Sequence, residues 1–336
     1  MRQMLTATPS PTPSSTLAAA SARPQPQTVL ILGGCGFIGR HVVAAARAAG
    51  YGVVVGTRHP ERPAAKLPAQ VQGLGLRKVR MERLLTAADW RPLLDEVQAV
   101  INCVGILRQR GAETYERVHH LAPAALAAAC KERGIARLLH VSALGLNAPM
   151  RSRFLTSKVR GEQAMLQSGL DFSIVRPSLL DGAGGFGAAW MHLGARLPVH
   201  AIPTDATGRF AALDVSELGS AMMQLLALQN REDLREVELG GTDARTMREH
   251  LAVLRAALGQ PPARVLPVPA LLARLAAHVC DVLHFSPFSY GHWELLHHDN
   301  LPRDNKLALL LGRAPKRIGW VAEAAPERAT VIGSFK

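Results

Sequence analysis

Short apolar runs alternate with amphipathic stretches through the first half of the chain. Thr28 to Leu32 is an apolar run followed at once by glycines, and Phe37 to Ala49 has the apolar spacing of a helix that ends at Gly50. Gly52 to Thr57 is a second apolar run rich in valine. Together these segments predict one strand–helix–strand unit of about 30 residues, with both strands buried in a parallel sheet.

The alternation continues along the chain. Strands are predicted over 99–103, 138–142 and 172–176, and helices over 114–133 and 154–167. Strands that alternate with helices are typical of an α/β fold with a doubly wound parallel sheet, the Rossmann arrangement, which has helices on both faces. The stretch 66–98 is harder to assign, and a strand near 71–76 with a helix near 81–97 fits it.

The rhythm loosens after residue 180. Helices are predicted over 215–229, 245–258 and 270–283, with a strand over 237–240. We therefore predict a sheet domain over 28–180 and, within the same fold unit, a smaller and mostly helical C-terminal lobe over 181–313. Residues 1–27, rich in Pro, Ser, Thr and Ala, indicate a disordered extension, and 314–336 a loosely packed tail.

A glycine-rich turn joins the first predicted strand to the first helix. Its sequence is Gly33-Gly34-Cys35-Gly36-Phe37-Ile38-Gly39. Glycines at such a turn allow a sharp bend, a close approach of the backbone to a pyrophosphate, and close packing of helix on strand. Because the turn follows a strand and begins a helix, it predicts dinucleotide binding through Gly33, Gly36, Phe37, Ile38 and Gly39. The alternative is a Rossmann fold that has lost its ligand.

The end of the second predicted strand indicates which dinucleotide is bound. NAD-binding domains usually carry an Asp or Glu there, which binds the ribose hydroxyls. This chain has Gly56-Thr57-Arg58-His59 and no acid. Arg58, with Arg62 as a second candidate, is placed to bind a 2′-phosphate, so NADP(H) is preferred and NAD(H) remains possible. Arg58 as an ordinary surface arginine is the alternative.

Further segments carry a family resemblance in their shared order. They are Asn102-Cys103-Val104-Gly105, His140-Val141-Ser142-Ala143, Lys158 with Gly161-Glu162, Val175-Arg176-Pro177-Ser178, and Leu295 to Gly312. With the glycine turn, these segments resemble the atypical or extended short-chain dehydrogenase/reductases. More narrowly, they resemble the branch that includes the NADPH-binding accessory subunit of respiratory complex I. The first 27 residues lie outside the resemblance.

The resemblance implies roles for several residues. It places Val104 and Gly105 beside the adenosine ribose, includes Pro177 among the cofactor contacts, and places Ser142 and Lys158 near the nicotinamide. Ser142 and Lys158 are therefore the candidate catalytic residues. The alternatives are a serine hydroxyl that only ends a strand and a lysine that only lies on a helix surface.

One position departs from the family pattern. Active members carry a tyrosine four residues before the lysine as the general acid, whereas this chain has Phe154. Phenylalanine has no proton to donate, so the usual acid–base help for a carbonyl is absent at this point. Lys158 would then anchor the nicotinamide ribose or act as the proton donor itself, and whether the protein is an enzyme stays open.

Composition and charge limit the partners. The formal charge of +13 and the pI near 10.4 favour polyanionic partners: nucleic acid, acidic lipid or phosphorylated ligands. No nucleic-acid-binding motif accompanies this charge, so specific nucleic-acid binding is not expected. The four scattered cysteines and adjacent histidine pairs predict no disulfide framework and no metal site. No apolar run reaches the length of a membrane span, and 270–285 is a packed lobe helix, with a membrane-surface or partner-docking helix as the alternative.

Three functions fit the sequence. The first is an NADP(H)-holding accessory protein, structural or redox-reporting, linked to complex I or quinone metabolism. The second is an NADPH-dependent reductase or epimerase of a hydrophobic small molecule. The third is a regulator that senses NADP(H). The expected location is cytoplasmic, with a peripheral position at the inner face of the membrane, within a membrane-surface protein complex, as one possibility.

Overall fold

The protein is described by a computed structural model over residues 28–148, 150–228, 232–283 and 288–319. The predicted extension over 1–27 and most of the predicted tail lie outside these residues. No helix in the described residues is both long enough and apolar enough to cross a membrane.

The strands within the described residues are β1 (Thr28–Leu32), β2 (Gly52–Thr57), β3 (Gly75–Lys78), β4 (Ala99–Asn102), β5 (Arg137–Val141), β6 (Phe172–Pro177), β7 (Leu180–Asp181), β8 (Val199–Pro203), β9 (Arg209–Phe210), β10 (Leu213–Asp214), β11 (Glu236–Leu239), β12 (Arg245–Thr246) and β13 (Arg264–Val268). The α-helices are α1 (Phe37–Ala48), α2 (Ala87–Trp90), α3 (Ala122–Glu132), α4 (Arg153–Gln167), α5 (Phe186–Arg196), α6 (Val215–Ala227), α7 (Met247–Ala257), α8 (Ala270–Leu283), α9 (Tyr290–Leu295) and α10 (Leu307–Leu311). A π-helical turn spans Glu116–Leu121 directly before α3.

A seven-stranded sheet forms the centre of the fold, in the order β11-β6-β5-β4-β1-β2-β3. Each neighbouring pair in it is parallel. The register aligns Gly56, Leu32, Asn102 and His140 across four strands. The carboxyl ends of these strands therefore meet at one edge, where ligands of such sheets bind. The predicted doubly wound parallel fold is confirmed.

The two faces of the sheet bury different helices because side chains alternate along each strand. On β1, Val29 and Ile31 join a buried cluster with α1 and α6, while Leu30 and Leu32 join a second cluster with α3 and Trp90. All four β1 side chains are fully buried. This explains why the first apolar run has no polar residue after Thr28.

The C-terminal region is largely helical, as predicted, but it also contributes to the sheet. Strand β11 pairs with β6 and forms one edge. Helix α6 packs on α1, and α10 packs on α6. Three short strand pairs, β7–β10, β8–β13 and β9–β12, link the helices of the lobe. The proposed domain boundaries at residues 180 and 313 stay predictions.

The stretch 66–98 differs from its prediction. The strand lies at Gly75–Lys78 rather than near 71–76, and a single helix over 81–97 is wrong. Thr86 and Asp89 form a capping box that begins α2, so the chain before Thr86 is a separate 3₁₀ turn. Pro92, which lacks an N–H, lies in a second 3₁₀ turn directly after α2.

Candidate dinucleotide and active site

The glycine turn has the geometry that the sequence predicts. Gly33 has a positive φ of 73°, which side chains rarely adopt, and its N–H donates to the carbonyl of Gly56 at 2.9 Å. A Cβ at position 39 would lie 2.1 Å from the carbonyl oxygen of Gly33, so only glycine lets α1 pack this closely on the turn. These two glycines hold the bend between β1 and α1.

The N-terminus of α1 is open toward the outside of the turn. Gly36 is the N-cap residue; it is exposed, and no side chain caps the helix. The first turn contains no acidic residue, and it includes the backbone N–H groups of Phe37 and Ile38. Uncapped N–H groups at the positive end of a helix dipole bind phosphate, so a dinucleotide pyrophosphate fits the residues present here.

The C-terminal lobe contacts this helix start. A Cβ at Gly185 would lie 2.7 Å from the ring of Phe37, so the glycine loop after β7 runs directly against that ring. The guanidinium of Arg40 donates to the carbonyl of Ala183 in the same loop. Phe37 therefore links the phosphate-binding turn to the lobe, while Ile38 packs against the sheet core.

Arg58 lies directly after β2, where the sequence predicts contact with a 2′-phosphate. Its Nη1 donates to Glu113 Oε1 at 2.7 Å. The pair bridges the end of β2 and the loop that precedes the π-helical turn, and the Arg58 side chain is 59% exposed. An arginine in this position can exchange one carboxylate for a phosphate, since both accept from the same guanidinium. Arg62, four residues further along the chain, is exposed.

The turn after β4 is held by buried polar side chains. Asn102 Oδ1 accepts from the N–H of Val104 at 3.0 Å, and Asn102 Nδ2 lies 3.0 Å from His140 Nδ1. A Cβ at Gly33 would lie 3.1 Å from Val104 Cγ2, so this turn packs against the glycine turn. Val104 and Gly105 thus lie at the same sheet edge as the phosphate-binding turn, as the resemblance implies.

The π-helical turn places His119 between this loop and α4. His119 Nε2 accepts from the N–H of Ile106 at 3.1 Å, so Nδ1 carries the proton, and it lies 3.0 Å from Ser157 Oγ. Burial and the charge of Lys158 lower the pKa of His119 well below its usual value. A Cβ at Gly161 would lie 1.9 Å from the carbonyl oxygen of His119, so Gly161 lets α4 reach this turn. His119 is therefore a neutral, fixed part of the wall.

Lys158 projects from α4 into this wall. Its Nζ lies 3.9 Å from where a Cβ at Gly105 would be, and 5.9 Å from the centroid of the Phe154 ring. Its charge also lowers the pKa values of His119 and His140, which places it near both rings. Burial lowers the pKa of the Lys158 ammonium to about 8, and the charge of Glu162 opposes this. Lys158 is thus more than a helix-surface lysine in this fold.

Ser142 directly follows β5 at the same sheet edge. Its N–H donates to the carbonyl of Val175, while its buried Oγ has no hydrogen-bond partner in the described part of the chain. A buried hydroxyl without a partner costs free energy unless a ligand or water satisfies it. Pro177 ends β6 beside it, and its carbonyl accepts from the N–H of Leu144. Ser142 therefore offers a hydrogen bond to a bound molecule.

Phe154 occupies an aromatic cluster in place of the family tyrosine. Its ring stacks on His292 with centroids 5.7 Å apart, and it meets the rings of Tyr115 and His119 edge-on. The Tyr115 hydroxyl donates to the carbonyl of Leu107, and burial raises the pKa of this phenol. Tyr115 therefore does not supply the missing acid, because its proton is held by a backbone carbonyl.

Sequence reasoning missed part of the site. Asn102 and His140 lie in the predicted motifs, but the prediction assigned a role only to their neighbours Val104, Gly105 and Ser142. His119 was predicted only not to bind a metal, as a member of an adjacent histidine pair. The contact that positions His119 is long-range, because it joins the π-helical turn to Gly161 in α4. No spacing rule pairs residues 42 positions apart.

A Rossmann sheet with an open glycine turn at its carboxyl edge defines a class of dinucleotide-binding proteins. The family described as NAD(P)H-binding matches residues 33–212. The chain belongs to this NAD(P)H-binding family.

Two proteins with similar sequences extend this result. Ceramide reductase of Caulobacter vibrioides is 29% identical over 292 residues, which are 83% of this chain and 87% of that protein. The mitochondrial NADH dehydrogenase [ubiquinone] 1 alpha subcomplex subunit 9 of Arabidopsis thaliana is 25% identical over 252 residues, which are 73% of this chain and 62% of the subunit. The predicted resemblance to the complex I branch is therefore confirmed at the level of sequence similarity.

The structural similarity concerns the fold. The dTDP-glucose 4,6-dehydratase of Bacillus anthracis in complex with NAD has a TM-score of 0.61 at 16% identity. The match covers 87% of this chain and 92% of the dehydratase.

Gly36→Asp separates cofactor binding from folding. A Cβ at position 36 would lie 3.1 Å from the carbonyl oxygen of Gly33, a tight contact that the favourable aspartate N-cap offsets, so the melting temperature of the free protein should change little. Its carboxylate would stand where the pyrophosphate approaches, and like charges at such a contact weaken NADPH binding by about 100-fold or more. Thermal unfolding with and without NADPH measures both effects. A full NADPH-dependent rise in melting temperature in the variant would contradict the site; Gly187→Ala, in open space on α5, is the control.

Proposed function

We propose that the protein is an NADP(H)-dependent reductase of a hydrophobic carbonyl compound. The observation that carries this proposal is a lysine with its pKa lowered to about 8, Lys158, beside the turn at Gly105, together with the unsatisfied hydroxyl of Ser142 after β5. A protein that only stores a cofactor needs neither a proton donor near neutral pH nor a spare buried hydroxyl. The similarity to a protein named ceramide reductase supports a lipid-like substrate.

Lys158 takes the role that tyrosine has in the family. A bound reduced nicotinamide would supply a hydride to the carbonyl carbon. Lys158 Nζ would donate a proton to the carbonyl oxygen, giving an alcohol and leaving a neutral amine that regains its proton from solvent. A general acid works best when its pKa lies near the working pH, and the desolvation of Lys158 brings its pKa into that range.

Ser142 would orient the substrate. Its Oγ can donate to the carbonyl oxygen while its backbone stays tied to β6 through the carbonyl of Val175. A fixed donor aimed at an oxygen that gains negative charge stabilises the transition state more than the ground state. The neighbouring histidines do not compete for this proton transfer, since burial keeps His119 and His140 neutral, with the pKa of His140 lowered to about 3.

Arg58 supports NADP(H) over NAD(H). The end of β2, Gly56 to His59, contains no acidic residue, and the Arg58 guanidinium already holds one anionic partner, the Glu113 carboxylate. A 2′-phosphate offers more negative charge than one carboxylate and forms charge-assisted hydrogen bonds with arginine. Binding of NADP(H) would thus exchange Glu113 for phosphate at Arg58, whereas NAD(H) offers no such anion.

A second candidate function rests on Phe154. Its ring is packed against three other rings and cannot donate a proton, so the usual acid of the family is absent. This favours an accessory protein that holds NADP(H) within a membrane-surface complex linked to complex I or quinone metabolism, in line with the similarity to the plant complex I subunit. Such a protein would retain NADPH through gel filtration without oxidising it in the presence of quinones or carbonyl compounds.

Lys158→Ala tests the reductase proposal. Loss of the proton donor should lower the rate of NADPH oxidation with a hydrophobic ketone by about 100- to 10,000-fold, measured at 340 nm. The wild-type rate should fall as pH rises through about 8, because the donor must be protonated. Lys158→Arg keeps the charge and removes this decline. A wild-type rate that is independent of pH between 6 and 9, or an active Lys158→Ala, would contradict the role.

Arg58 and Glu113 give opposite expectations for cofactor affinity. Arg58→Ala should weaken NADPH binding by roughly 10- to 100-fold, the value of one charge-assisted contact, and leave NADH binding nearly unchanged. Glu113→Gln removes the competing carboxylate and should tighten NADPH binding. Calorimetric titration of both cofactors measures this. Tighter binding of NADH than NADPH by the wild type would show that the assignment to NADP(H) is wrong.

A further inference from the structure

Helix α8 buries its small residues and exposes its large apolar residues to solvent. Its buried residues are the small ones, Ala273, Ala277 and Cys280. Its large apolar residues are exposed; they are Leu271, Leu272, Leu275, Val279, Val282 and Leu283, with exposed fractions from 45% to 77%. At about 100° per residue these six lie within an arc of about 120°, opposite the buried stripe. We call these six residues the α8 apolar face.

Helix α5 and its C-cap carry a second exposed apolar stripe, formed by Phe186, Trp190, Leu193 and Leu197 with exposed fractions from 38% to 51%. The α8 apolar face is the larger of the two, because it has six residues on one helix. Val265 and Leu266 of β13 are also exposed, at 37% and 55%. Patches of this kind mark surfaces that contact another apolar phase or partner.

The charges around the face favour one occupant. No Asp or Glu occurs between Glu249 and Asp281, whereas this stretch contains three arginines. Arg264 begins β13 and is exposed, and Arg274 lies on α8 beside the apolar face. The carboxylate of Asp281 faces inward, toward Arg108 and the N–H of Tyr290. An apolar face bordered by arginine and free of outward acid complements a bilayer with anionic headgroups.

The length of α8 sets its orientation. Fourteen residues span about 21 Å, which is shorter than the hydrocarbon core of about 30 Å. The helix would therefore lie in the plane of the interface, with its leucines in the acyl region and its arginine at the headgroups.

Helix α8 is also linked to the candidate active site through the packing of α9. Helix α9 packs against both α8 and α4. The Tyr290 ring stacks on His278 of α8 with centroids 4.7 Å apart, and two residues later His292 stacks on Phe154. If α8 lies against a bilayer, α9 therefore places the aromatic cluster around Phe154, and with it Lys158, on the side of the protein that faces the bilayer.

We propose that α8 and β13 dock the protein in the plane of an anionic membrane and so present the Lys158–Ser142 site to lipid-resident substrate. The docking stands on the exposed residues alone; only the delivery of substrate rests on the proposed reductase function.

Vesicle flotation tests the docking. The full chain should bind phosphatidylcholine vesicles that contain phosphatidylglycerol, bind pure phosphatidylcholine vesicles less, and lose binding as salt rises. The triple variant Leu271→Ser, Leu275→Ser, Val282→Ser should reduce the bound fraction by at least about tenfold. Arg264→Gln with Arg274→Gln should remove the preference for the anionic vesicle.

The controls keep the test independent of folding and of the reaction. Leu309→Ser, at an equally exposed leucine on α10, should bind vesicles like the wild type. The triple variant should keep the NADPH-induced rise in melting temperature and the rate with a water-soluble ketone. No vesicle binding by the wild type would overturn the docking while leaving the reductase proposal intact. Vesicle binding by the triple variant at the wild-type level would also overturn the docking. So would a wild-type dimer that the triple variant converts to a monomer, because the α8 apolar face would then be a dimer interface.

Discussion

The site depends on the absence of side chains at two points of one turn. Gly33 adopts a backbone conformation that suits glycine, and Gly39 lies against the carbonyl of Gly33 where no Cβ fits. With these two residues in place, α1 begins directly behind β1 and its uncapped end faces outward. The turn after β4 then packs against Gly33 through Val104, so the two turns at the carboxyl edge of the sheet support each other.

The chemical end of the site is built by desolvation. The contact of α4 with the π-helical turn leaves Lys158 half-buried, and desolvation of its ammonium lowers its pKa to about 8. The same burial keeps His119 and His140 neutral, so they shape the wall without sharing the proton. Phe154 stands where the resemblance would place the tyrosine acid, so under the proposed reductase function Lys158 is the group that acts as the acid.

The sequence predicted those parts of the structure that depend on neighbours in the chain. Alternating apolar runs and one glycine turn were sufficient for the parallel sheet and for α1, because strand burial and helix capping are local. The stretch 66–98 was assigned wrongly because the capping box at Thr86 competes with a longer helical pattern. The contacts Arg58–Glu113 and His119–Gly161 join distant segments and were out of reach. For α8, periodicity identified an apolar helix but could not tell that its small residues would be the buried ones.

Amide hydrogen exchange tests dinucleotide binding at the glycine turn most directly, because it reports on the backbone N–H groups of that turn. Addition of NADPH should slow exchange over residues 34–40 and 103–106, with little change over α7 and α10. Slowed exchange confined to the C-terminal lobe, or no change in the glycine turn at saturating NADPH, would contradict the claim that the turn between β1 and α1 binds the dinucleotide.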